Sequence, residues 1–347
     1  MALQRNCTST AVTNASSGDN GNASAYPNMA AIFFFVLMAV SIVTINCFVV
    51  FLVWKKKVLR SPANICLTSL ACLDFLSGSC AIPLVIACTV LESDVGWRCL
   101  SMDLISRMSS ISAILHLLVI AVERYVVIVR HVRPNDFLSL KKYVVIVSAV
   151  WFIPSFASLI QLSWVEVKGD MPRSQTEIIY DLVCIFGFVC VPLLLIIVAY
   201  VKVFCVLRRH TKEIEKQTML FMPYSRQQRH KLKEKRATLI YASMIGFYII
   251  GRFPYFLISL SIDLGGGRMV AAIPASVNMA LMFCRFSSSL VDPILYTFFK
   301  RDFKEAICSM RRGLRTQSSD TESKRSSNGT SIRLRRMRNS ASIIVET

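Results

Sequence analysis

The chain has 347 residues, 54% of them hydrophobic, with a formal net charge of +19 and a mean hydropathy of +0.52. An ordinary soluble domain is about 45–50% apolar, so a water-soluble globule is excluded. An apolar chain that is also strongly basic fits one arrangement, apolar segments in lipid with the cations gathered on one side of it. Twelve cysteines are spread through the apolar segments without CxxC spacing, which reads as small buried hydrophobes rather than a metal site or disulfide framework. No nucleophile–base constellation suggests an enzyme.

Residues 1–29 form a polar tail with the sequons at Asn6, Asn14 and Asn22, expected to be glycosylated on a non-cytosolic face. No charged stretch followed by a cleavable apolar run precedes it, so the first span is expected to act as its own signal. A bilayer crossing needs about 20 apolar residues. Seven stretches qualify: Ala30–Trp54, Ala63–Val90, Cys99–Arg130, Val144–Trp164, Leu182–Val206, Ala237–Ile262 and Val270–Phe299. The loops after the first, third and fifth carry Lys55, Lys56, Lys57 and Arg60, then Arg130, Arg133, Lys141 and Lys142, then the basic run from Arg208 to Arg236. The opposite loops carry Glu92, Asp94, Glu166, Asp170, Glu177 and Asp263. Basic loops stay cytoplasmic, which puts the N-terminus outside and the C-terminus inside.

Ionisable and polar groups within lipid are expensive and mark function. Here they fall in a fixed order: Asn46 in the first span, Leu70 to Asp74 as LxxxD in the second, Trp97 and Cys99 before the third, and Glu123-Arg124-Tyr125 at its end. Trp151 follows, then Pro192 with Tyr200, Pro254, and Asp292-Pro293-Ile294-Leu295-Tyr296. Over about residues 30–308 this set, in this order and spacing, resembles the rhodopsin-like (class A) G-protein-coupled receptors.

The resemblance implies an all-α bundle of seven transmembrane helices with a short amphipathic eighth. It also implies a switch. Glu123 holds Arg124, and Arg124 bridges to Glu234, which lies 20 residues before Pro254, roughly five and a half turns down the same helix. Release of that bridge opens a cleft lined by Tyr200 and Tyr296, with Ile114, Pro192, Tyr248 and Pro254 as the packing relay above it; Tyr248 replaces the usual Phe. The plain alternative is that Arg124 and Glu234 are solvated interfacial charges. A polar core of Asn46, Asp74, Ser288 and Asp292 resembles the family's sodium pocket. Its fit to an allosteric Na+ is weakened by Ala113, where Ser is usual, and by Arg252, where the family has Trp. No other cofactor is implied.

Two readings of Arg252 stand side by side: an internal ion pair with Asp74 or Asp292, or a face turned to ligand. Arg107 and Arg285 lie in the outer halves of their spans, and Asp103 is one turn from Arg107. If Asp103, Ser106, Arg107, Arg252 and Arg285 border a common cavity, the arginines suit a small anion or the carboxylate of a peptide or lipid. Ser106 stands where amine receptors have Asp, and Phe286 where opsins have Lys; no Lys occurs within residues 270–299. A non-aminergic, non-retinal ligand is expected. The outer loop 165–179 has no Cys, so Cys99 lacks the partner that the family supplies; Cys7, Cys88 and Cys184 are the candidates.

Past Tyr296, Phe299, Phe303 and Ile307 make an apolar stripe at i, i+4 and i+8, expected as a helix on the inner leaflet, with Cys308 as a palmitoylation site. His131 stands where Pro commonly follows the ERY triplet. Residues 309–347 are expected to be disordered, with Ser326, Ser327 and Ser340 beside basic runs as kinase targets that recruit arrestin. The expected organisation is a tail (1–29), a receptor bundle (30–299), a surface helix (300–308) and a cytoplasmic tail (309–347). The expected activity is ligand-driven activation of a heterotrimeric G protein at the plasma membrane, with arrestin, receptor kinases and lipid as further partners and no nucleic acid. A seven-span transporter or channel is the alternative; neither an inverted repeat nor paired broken helices speak for it.

Overall fold

The computed structural model describes residues 29–90, 95–132, 140–163, 175–218, 226–261, 264, 274–310 and 312. In hydrocarbon every backbone N–H and C=O must be satisfied within the segment, so each apolar run folds as a helix. The first helix, α1, is Met29–Lys55. The second, α2, joins Pro62–Leu76 to Ile82–Val90 through a π turn, Ser77–Ala81. Helix α3 is Val95–Val129 and α4 is Leu140–Leu159. Helix α5 joins Gln175–Ile185 to Val191–Thr218 through the π turn Phe186–Cys190. Helix α6 is Arg226–Gly251 continued by Phe253–Ser261. Helix α7 is Ala275–Ile294, closed by the π turn Leu295–Phe299.

Local chemistry sets the irregularities. Pro62 opens α2, where its missing N–H is lost to no partner. Pro192 lies two residues past the π turn of α5, and Pro254 cannot donate to the carbonyl of Ile250, so α6 breaks at Arg252. Gly251 sits at that break because a Cβ there would lie 2.5 Å from the backbone oxygen of Cys284 on α7. Gly78 does the same between α2 and α1, its Cβ position being 2.9 Å from Ile42. Helix α3 ends at His131, whose left-handed φ of 57° lets the Val132 N–H return to the Val126 carbonyl at 3.4 Å.

Six helices among the described residues are long and apolar enough to cross a membrane. The seventh, α7, is poorer in apolar residues because it carries Arg285, three consecutive serines and Asp292, and it packs against α1, α2 and α6. Helix α3 touches α2, α4, α5 and α6 and supplies the centre of the bundle through Ile111, Ile114, Leu117 and Ile120. The outer faces are apolar: Phe152 and Phe156 of α4 are 74% and 71% exposed, a surface that only lipid covers at no cost. A polar cross-tie joins three helices inside. Ser69 of α2 accepts from the Trp151 indole at 2.8 Å and lies 2.9 Å from His116 Nε2 on α3.

Several boundaries differ from the expectation. Helix α5 begins at Gln175, not Leu182, so Glu177 and Asp181 belong to a helix rather than an outer loop. It runs inward to Thr218, beyond Val206, where its span was expected to end, and α6 starts at Arg226. Hydropathy fades before the helix does, because turns beyond the lipid are polar yet still hydrogen-bonded along the axis. The sequons at Asn6, Asn14 and Asn22 lie outside the described residues, as do Cys7 and residues 313–347 with their kinase targets. Residues 301–310 form a separate helical unit, in which Arg301 pairs with Glu305 at 2.7 Å and Cys308 is exposed.

Candidate functional site

Three polar layers lie along the bundle. In the middle one, Arg252 is 4% exposed and all three of its guanidinium nitrogens donate. Nη2 donates to Asp74 Oδ1 at 3.1 Å and to Ser289 Oγ at 2.6 Å. Nε donates to Ser288 Oγ at 3.0 Å, and Nη1 to the Ser109 carbonyl at 3.1 Å. The break in α6 lets this side chain reach inward, where it ties α6 to α2, α3 and α7 at once. Of the two readings left open by the sequence, the geometry matches the ion pair with Asp74. Asn46 adds a link from α1, donating to the Ser289 carbonyl at 3.2 Å. Asp292 is also buried, and its Oδ1 has no hydrogen-bond partner among the described residues. Arg252 supplies a positive charge at Asp74 Oδ1, while Asp74 Oδ2 and Asn46 Oδ1 are buried acceptors without a hydrogen-bond partner among the described residues.

The outer layer lies above it. Arg107 contacts Asp181 at 2.5 Å and Asp103 at 3.5 Å, and its guanidinium sits 5.0 Å from the Tyr180 ring. Tyr255 donates its hydroxyl to Asp103, and Ser259 donates to Asp181 at 2.9 Å. These bonds link α6 to α3 and α5. Arg285 is different. It is 8% exposed and stacks on the Tyr255 ring at 3.9 Å and near Phe286 at 5.6 Å. Its Nη2 has no hydrogen-bond partner, and no carboxylate pairs with it among the described residues. The three arginines therefore do not share one open cavity: Arg252 is turned inward to Asp74, and Arg107 is neutralised by two acids. Ser106 is buried, with its hydroxyl unpartnered among the described residues. Above this layer Cys99 bonds to Cys88, Cα to Cα 5.3 Å, while Cys184 stays a free, buried thiol. Cys88 thus supplies the missing partner, from the top of α2.

At the inner end Glu123 holds Arg124 at 3.1 Å. Glu234 lies on α6, but its side chain is outside the described residues, so the Arg124–Glu234 bridge is not seen. Arg124 instead lies 5.7 Å from the ring of Tyr241 on α6. Tyr125 packs against Ile128, Val203 and Leu207. Tyr200, Tyr296, Ile114 and Pro192 are buried, and Tyr248 donates its hydroxyl to the Ser110 carbonyl at 3.2 Å. Pro293 sits within α7 one residue after Asp292. Sequence reasoning missed Ser109, Ser289, Asp181, Tyr255 and Ser259. Neutral hydroxyls and one acid just outside an assigned span carry no signal of their own; helical phase at the Pro254 kink is the one cue that points Tyr255 and Ser259 inward.

The chain matches the family described as 7 transmembrane receptor (rhodopsin family) over residues 45–296. It is 26% identical to the 5-hydroxytryptamine receptor 1E of Cavia porcellus, over 80% of this chain and 91% of that protein. It is 26% identical to the histamine H2 receptor of Rattus norvegicus, covering 78% and 76%. With the human trace amine-associated receptor 9 the identity is 24%, covering 80% and 83%. A match over most of the chain, with the polar residues of the bundle in the positions described, gives the conclusion: the chain belongs to the rhodopsin family of seven-transmembrane receptors, a multi-pass membrane receptor and not an enzyme.

Proposed function

We propose that this receptor sits in the plasma membrane with its N-terminus outside, takes a ligand bearing one acidic group at the outer polar layer, and activates a heterotrimeric G protein. The observation that carries the ligand class is Arg285, a buried guanidinium with an orphaned nitrogen and aromatic faces beside it. A carboxylate or phosphate oxygen satisfies that nitrogen directly. Asp103, Ser106 and Arg107 form the neighbouring wall. Movement of α6, the helix that carries Tyr255, Ser259 and Arg252, transmits binding to Glu123, Arg124 and Tyr125 and to Asp292–Tyr296. Arrestin and receptor kinases acting on the tail, lipidation at Cys308 and glycosylation at Asn6, Asn14 and Asn22 complete the reading.

A second reading follows from the relatives, which are named for 5-hydroxytryptamine, histamine and trace amines. An ammonium needs a carboxylate free to receive it. Asp103 and Asp181 are both held here, by Arg107, Tyr255 and Ser259, which favours the acid. A pooled Gα activation screen of carboxylates, phosphates and primary amines, run on the parent and on Arg285→Ala, separates the two. The expected result is an acid that activates the parent and fails on the variant. An amine agonist equally potent on both overturns the ligand class, and no Gα activation by any compound overturns the coupling.

A further inference from the structure

Lys300 follows the last turn of α7 and reads in the sequence as the first solvated charge of an amphipathic segment. It is instead 8% exposed. Its ammonium donates to Asn64 Oδ1 at 2.5 Å and to the Tyr241 hydroxyl at 2.9 Å, and lies 5.6 Å from the Tyr241 ring centroid. Asn64 belongs to the first turns of α2 and is 1% exposed; Tyr241 of α6 is 0% exposed. The π turn Leu295–Phe299 ends with the Lys300 N–H on the Tyr296 carbonyl at 3.2 Å, which fixes where the lysine starts. The same Tyr241 ring is the one that Arg124 of α3 approaches. One aromatic side chain of α6 is thus held by a lysine from α7, and through it by α2, with the switch arginine of α3 on the same ring.

We propose that Asn64, Tyr241 and Lys300 form an inner latch that keeps α6 against α2 and α7 in the resting receptor, independently of any Arg124–Glu234 bridge. Two oxygens and a ring face replace water around the buried ammonium. Outward movement of α6 takes the phenol oxygen and the ring away from the ammonium together. The latch therefore interacts differently with the two positions of α6, which is what a two-state element requires. The sense of the device rests on the G-protein reading above; the geometry of the latch does not.

The test needs no ligand. An environment-sensitive thiol fluorophore is placed at Lys235→Cys on α6, with the exposed cysteines Cys47, Cys205, Cys284 and Cys308 replaced by alanine, and the receptor is reconstituted in nanodiscs. Lys300→Met, Asn64→Ala and Tyr241→Phe are each expected to move the label towards water. Basal nucleotide exchange, measured on a panel of Gα subunits, is expected to rise about 10-fold for Lys300→Met and less for Tyr241→Phe, which keeps the ring and loses one bond to a charged donor. Lys300→Arg is expected to restore the parent signal, and Asn64→Ala adds little to Lys300→Met. If Lys300→Met fails to fold, Tyr241→Phe carries the same comparison. A label that stays put in folded variants overturns the latch, as does basal exchange that falls. A label that moves while exchange stays flat on every Gα upholds the latch and removes the coupling reading instead.

Discussion

The middle and outer polar layers are built from the same parts and pair them differently. Around Asp74 there are two buried acids, Asp74 and Asp292, and one guanidinium, Arg252. Around Asp103 there are two acids, Asp103 and Asp181, and two guanidinium groups, but Arg107 takes both acids and Arg285 takes none. In the middle layer all three guanidinium nitrogens of the arginine donate to acceptors on other helices. The outer layer has a donor left over, facing Tyr255 and Phe286. An arginine in lipid is structural when the fold brings acceptors to it and available to ligand when the fold does not. Residue type alone does not separate the two cases.

The largest expected effect tests the middle layer. Arg252→Met strands Asp74, and breaking one side of a buried pair costs about 3–5 kcal/mol. Thermal unfolding of purified receptor is expected to show a severe loss, with Asp74→Asn in the same chain recovering much of it. Additive losses in that double mutant break the claim that the two residues compensate each other. Next comes the staple above the outer layer. Cys88→Ser and Cys99→Ser are each expected to lower stability by about 2–4 kcal/mol, equally and without adding together, as read from thermal unfolding with and without reductant. Unequal losses mean that the bond contributes less than one of the thiols does.

The outer layer is probed by activity. Replacing Arg285 with Gln removes the charge that meets the ligand, so the half-maximal concentration of an acidic agonist is expected to rise by about 10- to 100-fold, as for loss of a bond to a charged group, with stability little changed. The same shift at Arg107 with none at Arg285 reverses the comparison. The smallest effect is Tyr255→Phe, which keeps the ring under Arg285 and removes one donor to Asp103. A stability loss of about 1–2 kcal/mol is expected, with agonist potency moved less than by Arg285→Gln.

Much of the fold is legible along the chain because lipid imposes a simple rule. Runs of apolar residues become helices, and Pro192, Pro254 and Pro293 mark irregularities that the structure shows near each of them. The ends of α5 and α6 are less legible. Beyond the bilayer the helices run on through polar sequence, and Asp181, one residue outside the expected span, is buried among the helices. The site is legible as a set of residue types. Arg252 and Asp74 stand out as charges in lipid; Ser109, Ser288 and Ser289, which complete their pairing, look like any small polar residue of an apolar helix. Lys300 carries no signal for the converse reason, since a basic residue beside a basic tail resembles solvated surface.

Hydropathy and the order of polar residues by themselves determined that this chain crosses a membrane as a bundle of helices and that charges such as Asp74, Arg252 and Asp292 are buried in it, because transferring backbone and charge to lipid is decided one segment at a time. Only the tertiary structure decided which charge meets which. That choice turns on helical phase, on the break at Arg252 and on the close approach at Gly251, each of which joins residues far apart in the chain. The pairings that separate a filled arginine from an open one arise where helices meet, and no single segment contains them.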